Sequence, residues 1–290
     1  MKKVLITGGA GTLGRCVTEE LLKRNYAVRI FDLQSFDCNV APVGSSCEVL
    51  RGDICNPDAL SRATDDVDWI IHLAAILPPL SENDRNLATA VNIHGTRQLL
   101  KVMKKGVPLV FASSVAVYGV PQRKIVDIDH PTKPTDYYGE TKLQNEKEIA
   151  ASGQIFTVLR ISGISVPALL EIPRPWFFAR KQRLQFVHLA DAATAVANCV
   201  DNKNTGGHIF QIAGDDSWRM WGEEYSKAIC NAFDIPPESA SYLKEPSWPG
   251  WYDTRRSQAI FDYQHQRFEK FIAQLRDLYR GAVDQPIDAP

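Results

Sequence analysis

The chain has 290 residues, with 33 Lys and Arg against 34 Asp and Glu and a formal net charge of −1, a balance that argues against a nucleic-acid partner or an anionic-membrane surface. No apolar run approaches the ~20 residues that span a bilayer, and the run after Met1-Lys2-Lys3 stops at Thr7-Gly8-Gly9, too short for a signal peptide. The six cysteines (Cys16, Cys38, Cys47, Cys55, Cys199, Cys230) show no paired metal-ligand spacing; they read as reduced thiols of a cytoplasmic protein, and no metal is expected.

Residues 4–6 are a short apolar run of the kind a fully buried parallel strand shows. Glycines follow at 8, 11 and 14, and a helical pattern occupies 15–24. Strand, glycine turn and helix bring backbone N–H groups and the positive end of a helix dipole to one point, which suits a pyrophosphate. One glycine permits the tight turn, one lets backbone approach the phosphates, and one lets the helix lie close on the strand. The next strand, 27–31, ends at Asp32, about 20 residues beyond the glycines, where a dinucleotide fold places its ribose-binding acid. A carboxylate there accepts from both ribose hydroxyls and repels a 2′-phosphate. NAD is therefore expected over NADP, with Arg15 and Arg29 as the cations able to blunt the preference.

A third strand is read at 47–53. Asp53 at its end either meets an adenine amino group or caps the helix that starts near Pro57. The fourth strand, 67–75, ends in Leu73-Ala74-Ala75, whose small alanines fall where the sheet's carboxyl edge passes beneath a cofactor. A long helix over 82–105, a fifth strand over 107–112, a helix over 135–151 and a sixth strand over 155–160 continue the alternation. The pattern predicts an α/β fold, a doubly wound parallel sheet with the ligand at its carboxyl edge.

The chemistry is expected on two of these elements. The fifth strand runs into Ser113-Ser114-Val115-Ala116-Val117-Tyr118-Gly119, and later comes Asp136-Tyr137-Tyr138-Gly139-Glu140-Thr141-Lys142. Of the two adjacent tyrosines, Tyr138 has a lysine four positions on, whereas Tyr137 has Thr141. Positions i and i+4 share a helix face, so Tyr138 and Lys142 can face one substrate. A phenol with a pKa of about 10 is too weak an acid for efficient proton transfer at neutral pH. A nearby ammonium, together with an oxidised nicotinamide, is expected to lower that value. A serine hydroxyl from the strand end would hold the reacting oxygen.

In combination these residues resemble the short-chain dehydrogenase/reductase superfamily, in its extended, epimerase/dehydratase-like branch. The matching stretches are Thr7 to Gly14, Gly52-Asp53-Ile54, His72-Leu73-Ala74-Ala75, Val91-Asn92-Ile93-His94-Gly95-Thr96, Ser113 to Gly119, Tyr138 to Lys142, and Phe186-Val187-His188-Leu189-Ala190-Asp191. The resemblance implies a catalytic set of Ser114, Tyr138 and Lys142. It implies a cofactor set of Gly8, Gly11, Thr12, Leu13, Gly14, Asp32, Asp53, Ile54, Leu73, Ala74, Ala75 and Asn92 with Tyr138 and Lys142, Asn92 being mainly a structural helper. It further implies a Rossmann-type NAD-binding domain over 1–160 plus about 186–213, and a small C-terminal substrate lobe over about 161–185 plus 214–290. A homodimer packed through the helices at 82–105 and 135–151 is expected on family analogy.

The departures bear on the substrate. Members acting on nucleotide sugars usually carry a diphosphate-binding arginine two residues before the Phe-Val-His motif; here position 184 is Leu and Arg183 lies one place early. A one-residue displacement on an extended segment turns a side chain to the other face. Arg174, Arg180 and Lys181 form either an anion site or a solvated basic loop. The loop Ile76-Leu77-Pro78-Pro79-Leu80 is apolar and stiff, which suits a substrate smaller or less polar than a sugar nucleotide. Leu77, Pro78, Ser113, Ser114, Arg174 and Trp176 are the candidate substrate contacts. The aromatic C-terminal stretch, with Trp218, Trp221, Trp248 and Trp251, is lobe core or substrate platform; helices are read at 223–233 and 266–279 and a frayed tail at 281–290.

Three readings follow. The first is a net NAD-dependent oxidoreductase, moving hydride between nicotinamide and a C–OH/C=O centre of a small or sugar-like substrate. The second is an epimerase or dehydratase that retains its cofactor. The third is a non-catalytic NAD sensor, against which the intact Ser114, Tyr138 and Lys142 count.

Overall fold

The computed structural model describes residues 1–33, 46–169 and 171–284. Cys38 and the last six residues of the expected tail lie outside them. In chain order the first half comprises β1 (Lys3–Thr7), α1 (Thr12–Lys23), β2 (Ala27–Asp32), β3 (Cys47–Arg51), α2 (Pro57–Ala63), β4 (Trp69–His72), α3 (Leu80–Asn83), α4 (Arg85–Ala88), a π-helical segment (Thr89–Gly95), α5 (Thr96–Val102), β5 (Leu109–Ser114) and α6 (Tyr137–Ala151). Then follow β6 (Phe156–Ile161), β7 (Ile164–Ser165), β8 (Trp176–Ala179), β9 (Arg183–Gln185), β10 (Val187–His188), α7 (Leu189–Ala197), β11 (His208–Ile212), β12 (Arg219–Trp221), α8 (Gly222–Ala232), β13 (Tyr242–Leu243), α9 (Arg255–Phe261) and α10 (Phe268–Val283).

Seven strands form one sheet in the order β11-β6-β5-β4-β1-β2-β3, and every pairing in it is parallel. Side chains alternate across the sheet, so β1 serves two cores. Val4 and Ile6 pack with Val17 and Leu21 of α1 and with the alanines of α7. Leu5 packs on the opposite face with Leu60 of α2, Leu99 of α5 and Ile149 of α6. All three are fully buried, and each contributes about 1.5–3 kcal/mol of transfer free energy, enough to offset the ~1–2 kcal/mol of backbone entropy per residue. Strand order reverses between β1 and β4, and ligands of such sheets bind at that reversal.

Two local expectations are corrected and one strand is added. The fourth strand leaves the sheet after His72, since Leu73 N–H makes the last bond, to Thr7 O (3.0 Å). The helix read over 82–105 is broken: Asp84 stands outside helical geometry and its carboxylate caps α4 through Leu87 N–H (2.9 Å). The seventh strand, β11, pairs with β6 and was not distinguished in the sequence.

A separate aromatic cluster of Trp176, Phe178, Phe186, Trp218, Tyr225 and Phe271 lies beside the sheet, built from β8, β9, β12, α8 and α10. Trp218 and Trp176 are therefore core residues. Phe261 and Tyr263 instead join the sheet's core, and Ser257 Oγ donates to Gln211 O of β11 (2.6 Å). The segment around α9 thus packs with the sheet, a correction to the expectation that all of 214–290 joins the lobe.

Candidate active site

The glycine loop sits at the carboxyl end of β1. Gly8 has φ +72°, and a Cβ there would lie 2.6 Å from Ala74 N; one on Gly14 would lie 2.5 Å from Gly8 O. Both contacts are with backbone, so neither can give way. Gly11 is the N-cap of α1, which among the described residues has no side-chain cap. The first-turn N–H groups of Thr12, Leu13 and Gly14 have no intrahelical partner and remain for an anion. Asp32 at the end of β2 accepts from Ala10 N–H (2.9 Å) and Leu33 N–H (2.8 Å), which aims its carboxylate across the loop.

These features fit a dinucleotide: an uncapped helix end, a loop that tolerates no Cβ, and a carboxylate beside it. Arg29 does not counter Asp32. It pairs with Glu48 (2.7 Å) and donates to Ala63 O (2.8 Å) at the end of α2. Arg15 Nε donates to Ala10 O (2.7 Å). The helix α2 is capped by Asn56 and not by Asp53, which is exposed and accepts from Cys55 N–H (2.8 Å). Ile54 buries its side chain beneath the sheet, while Leu73, Ala74 and Ala75 lie half-buried at the strand end.

On α6 the structure separates the two tyrosines. Tyr137 bonds its hydroxyl to Thr89 Oγ1 (2.5 Å), and Arg85 lies 5.0 Å over its ring. Tyr138 is half-buried, with Lys142 Nζ 5.6 Å from its ring centre. Lys142 is 2% exposed; its ammonium donates to Ala112 O (2.8 Å) and lies 4.8 Å from the Phe111 ring. Ser114 ends β5 half-buried, and its Oγ accepts from Ala116 N–H (3.1 Å). The turn after Ser114 packs on the first turns of α6. Ser114, Tyr138 and Lys142 thus come from β5 and α6 at the carboxyl edge of one sheet.

The electrostatics correct one expectation. Burial pushes the Tyr138 phenol well above its ordinary value, and Asp136 adds to the rise. The lysine does not lower it in this state, because its ammonium lies over the ring face and is itself desolvated. Burial brings Lys142 down to about 7, against a partial rise from Glu146. Between that value and the ordinary lysine value of 10.5 the unfolded chain holds a proton that the folded lysine has shed, so stability rises with pH through this window. Lys142→Met is expected to remove that slope, measured as ΔG of unfolding at a series of pH values.

Behind these groups lies a buried polar frame. Asn92, in the π-helical segment, accepts from Ile76 N–H (2.7 Å) and donates to Ile76 O (3.0 Å) and Thr141 Oγ1 (3.2 Å). Its amide is committed to protein groups, which corrects its grouping with the cofactor residues and fits the structural role. His72 lies between Thr7 Oγ1 (2.7 Å) and Thr96 Oγ1 (2.9 Å), with burial holding it near 3, hence neutral. Ser113 donates to Glu146 Oε1 (2.5 Å), and Glu146 pairs with Arg160 (2.7 Å). Ser113 is therefore turned into the protein, a correction to its place among the substrate contacts.

The remaining candidates divide. Leu77 is exposed at 57% beside exposed Pro78. Trp176 is 4% exposed and stacks on Phe178 at 5.4 Å; it is a lobe-core residue, a correction to its place among the substrate contacts. Arg174 is exposed, and Arg180 pairs with Glu223 (2.7 Å) on the surface, the pattern of a solvated loop. Leu184 is buried in the lobe core, whereas Arg183 points to the other face between Trp221 and Trp251, 5.5 Å from each ring. Sequence reasoning missed Glu82, whose carboxylate accepts from the first two N–H groups of α6; a lone glutamate on a short helix carries no local signal.

Residues 4–166 match the model of the NAD dependent epimerase/dehydratase family. The chain is 31% identical over 254 residues to "Sterol-4-alpha-carboxylate 3-dehydrogenase, decarboxylating" of Homo sapiens, a match covering 76% of this chain and 64% of that protein. It is 34% identical over 177 residues to the "3 beta-hydroxysteroid dehydrogenase/Delta 5-->4-isomerase" of Mycobacterium tuberculosis, covering 56% of this chain and 47% of the relative. The chain therefore spans from about half to about two thirds of these relatives' lengths. Among solved structures, a short-chain dehydrogenase/reductase superfamily protein from Agrobacterium tumefaciens with bound NAD superposes with a TM-score of 0.81 at 21% identity, over 97% of this chain and 98% of that one. A UDP-glucose 4-epimerase from Thermotoga maritima gives 0.82 at 17% identity, over 97% and 100%. At such identities the likeness concerns the fold.

Proposed function

The chain belongs to the NAD dependent epimerase/dehydratase family, and from that membership we propose that it is an NAD-dependent oxidoreductase acting at a C–OH/C=O centre. The observation that carries this reading is the half-buried Tyr138 beside Lys142 on α6. Gly8, Gly11, Thr12, Leu13 and Gly14 would hold the pyrophosphate and Asp32 the adenosine ribose. Asp53 and Ile54 would border the adenine, and Leu73 to Ala75 the ring's underside. Bound NAD would supply the two-electron hydride acceptor for the carbinol carbon.

The side chains handle the proton. With the positive charge of bound oxidised nicotinamide offsetting the desolvation, Tyr138 as phenolate would accept the alcohol O–H proton as the carbonyl forms, and would return it in the reverse direction. Ala112 O takes one of Lys142's three N–H donors, which leaves two for the phenolate and the ribose. Ser114 Oγ accepts from Ala116 N–H, so its own O–H is free to donate to the reacting oxygen.

Two features favour net oxidation of an alcohol on a largely apolar body over sugar-nucleotide epimerisation. Leu77, Pro78, Pro79 and Leu80 are consecutive exposed apolar residues after β4. Position 184 presents a leucine to the lobe core, and Arg183 is held between two indoles. The small lobe would close over the substrate. Free thiols at Cys16, Cys47, Cys55, Cys199 and Cys230 support a reducing, cytoplasmic setting, and a homodimer through α5 and α6 accompanies the reading. The test is to incubate purified protein and NAD with a panel of 3β-hydroxysteroids, simple secondary alcohols and UDP-glucose, following reduced-nicotinamide absorbance. Growth of that band with an alcohol supports oxidation. Conversion of UDP-glucose to UDP-galactose with no net reduction would replace this reading by an epimerase.

A further inference from the structure

The chain between β4 and the π-helical segment forms a strap fixed at both ends. At its start, Ala74 N lies where a Gly8 Cβ would come within 2.6 Å. Just beyond, Ile76 is held through both its N–H and its carbonyl by Asn92. At the far end α3 carries Glu82. Tyr137 N–H donates to Glu82 Oε2 (2.9 Å), Tyr138 N–H donates to Glu82 Oε1 (3.0 Å), and the buried Ser81 hydroxyl donates to Oε1 (3.0 Å). Between the two attachments Leu77 and Leu80 are 57% and 47% exposed.

The first N–H groups of α6 have no intrahelical acceptor. Asp136, the N-cap, accepts from Gly139 N–H (2.7 Å) and leaves those of Tyr137 and Tyr138 open. Glu82 closes both from a different part of the chain, and its negative charge suits the positive end of the helix dipole. Burial raises the Glu82 carboxyl, but the two amides, Ser81 and Arg85 outweigh it and hold it below its ordinary value. The carboxylate is thus ionised at neutral pH.

We propose that Glu82 is a positioning residue: by clamping the backbone of Tyr138 to the substrate-facing strap, it fixes the phenol relative to the glycine loop. The catalytic part of this rests on the role proposed for Tyr138; the clamp does not. A cap alone would affect stability. A clamp that ties the acid/base to the strap also affects turnover, since misplacement by about 1 Å costs on the order of 100-fold.

The test compares the full-length wild type with Glu82→Ala and Glu82→Gln. Amide hydrogen exchange should be faster by about tenfold or more at Tyr137 and Tyr138 in Glu82→Ala, and unchanged over the later turns of α6. With the fastest alcohol of the panel above, kcat should fall about 10- to 100-fold while KM and NAD affinity hold. Glu82→Gln, which keeps one acceptor oxygen for one of the two amides, should recover part of that loss. Unchanged exchange at both amides overturns the clamp. Faster exchange with unchanged kcat overturns the positioning role and leaves a simple cap. Wild-type turnover in a parallel Tyr138→Phe protein would instead overturn the acid/base reading, because the exchange rates judge the clamp without reference to activity.

Discussion

Tyr138→Phe is expected to lower turnover by about three orders of magnitude, within the range that a general acid–base group supplies, while NAD affinity stays within a few-fold. The substitution removes one oxygen and leaves the ring that Lys142 overlies. Neighbouring Tyr137 uses its hydroxyl to hold Thr89, so Tyr137→Phe serves as the control: it should cost some stability and little turnover. Steady-state kinetics and fluorescence titration of NAD on both variants check the pair. Normal turnover in Tyr138→Phe would show that the proton moves through another group.

The second large effect is on stability. Glu146 is 4% exposed and Arg160 6%, and the two form a bidentate pair, with Nε 3.0 Å from Oε1 and a terminal nitrogen 2.7 Å from Oε2. Ser113 donates to the same carboxylate, and Arg160 lies 4.8 Å over the Tyr118 ring. Glu146→Ala leaves a guanidinium buried without its counter-charge, which costs about 3–5 kcal/mol, far more than a surface pair at about 0–1 kcal/mol. The unfolding midpoint should fall by about 5–8 °C, measured by calorimetry. Glu146 also raises Lys142, so the variant's lysine should titrate lower still. A loss under about 1 kcal/mol would place the pair among those that add nothing net.

Much of the fold is legible because its signals are local. Val4-Leu5-Ile6 reads as a strand buried on both faces, and the structure divides it between two cores. The choice of Tyr138 over Tyr137 came from helical spacing alone, and the structure shows what occupies Tyr137. What the sequence hides is tertiary. Ser113 and Ser114 are adjacent, and only the partners show that Ser113 faces a buried ion pair. Trp176 reads as a candidate substrate contact until Phe178 and Tyr225 close around it. The break in the helix at 82–105 depends on Asp84 capping α4, against a continuous helical pattern. The phenol's upward shift comes from desolvation, which spacing cannot report. Glu82 is the plainest case: its partners lie 55 and 56 positions away in the chain.

The central claim is that the Tyr138 hydroxyl faces a nicotinamide anchored by the amino-terminal glycines, and a crystal structure of the protein grown with NAD tests it most directly. The expected result is a pyrophosphate on the amides of Gly11 to Gly14, ribose hydroxyls on Asp32, and the nicotinamide ring beside Tyr138 and Lys142. A dinucleotide bound elsewhere, or a Tyr138 hydroxyl turned into side-chain packing away from the ring, would contradict it.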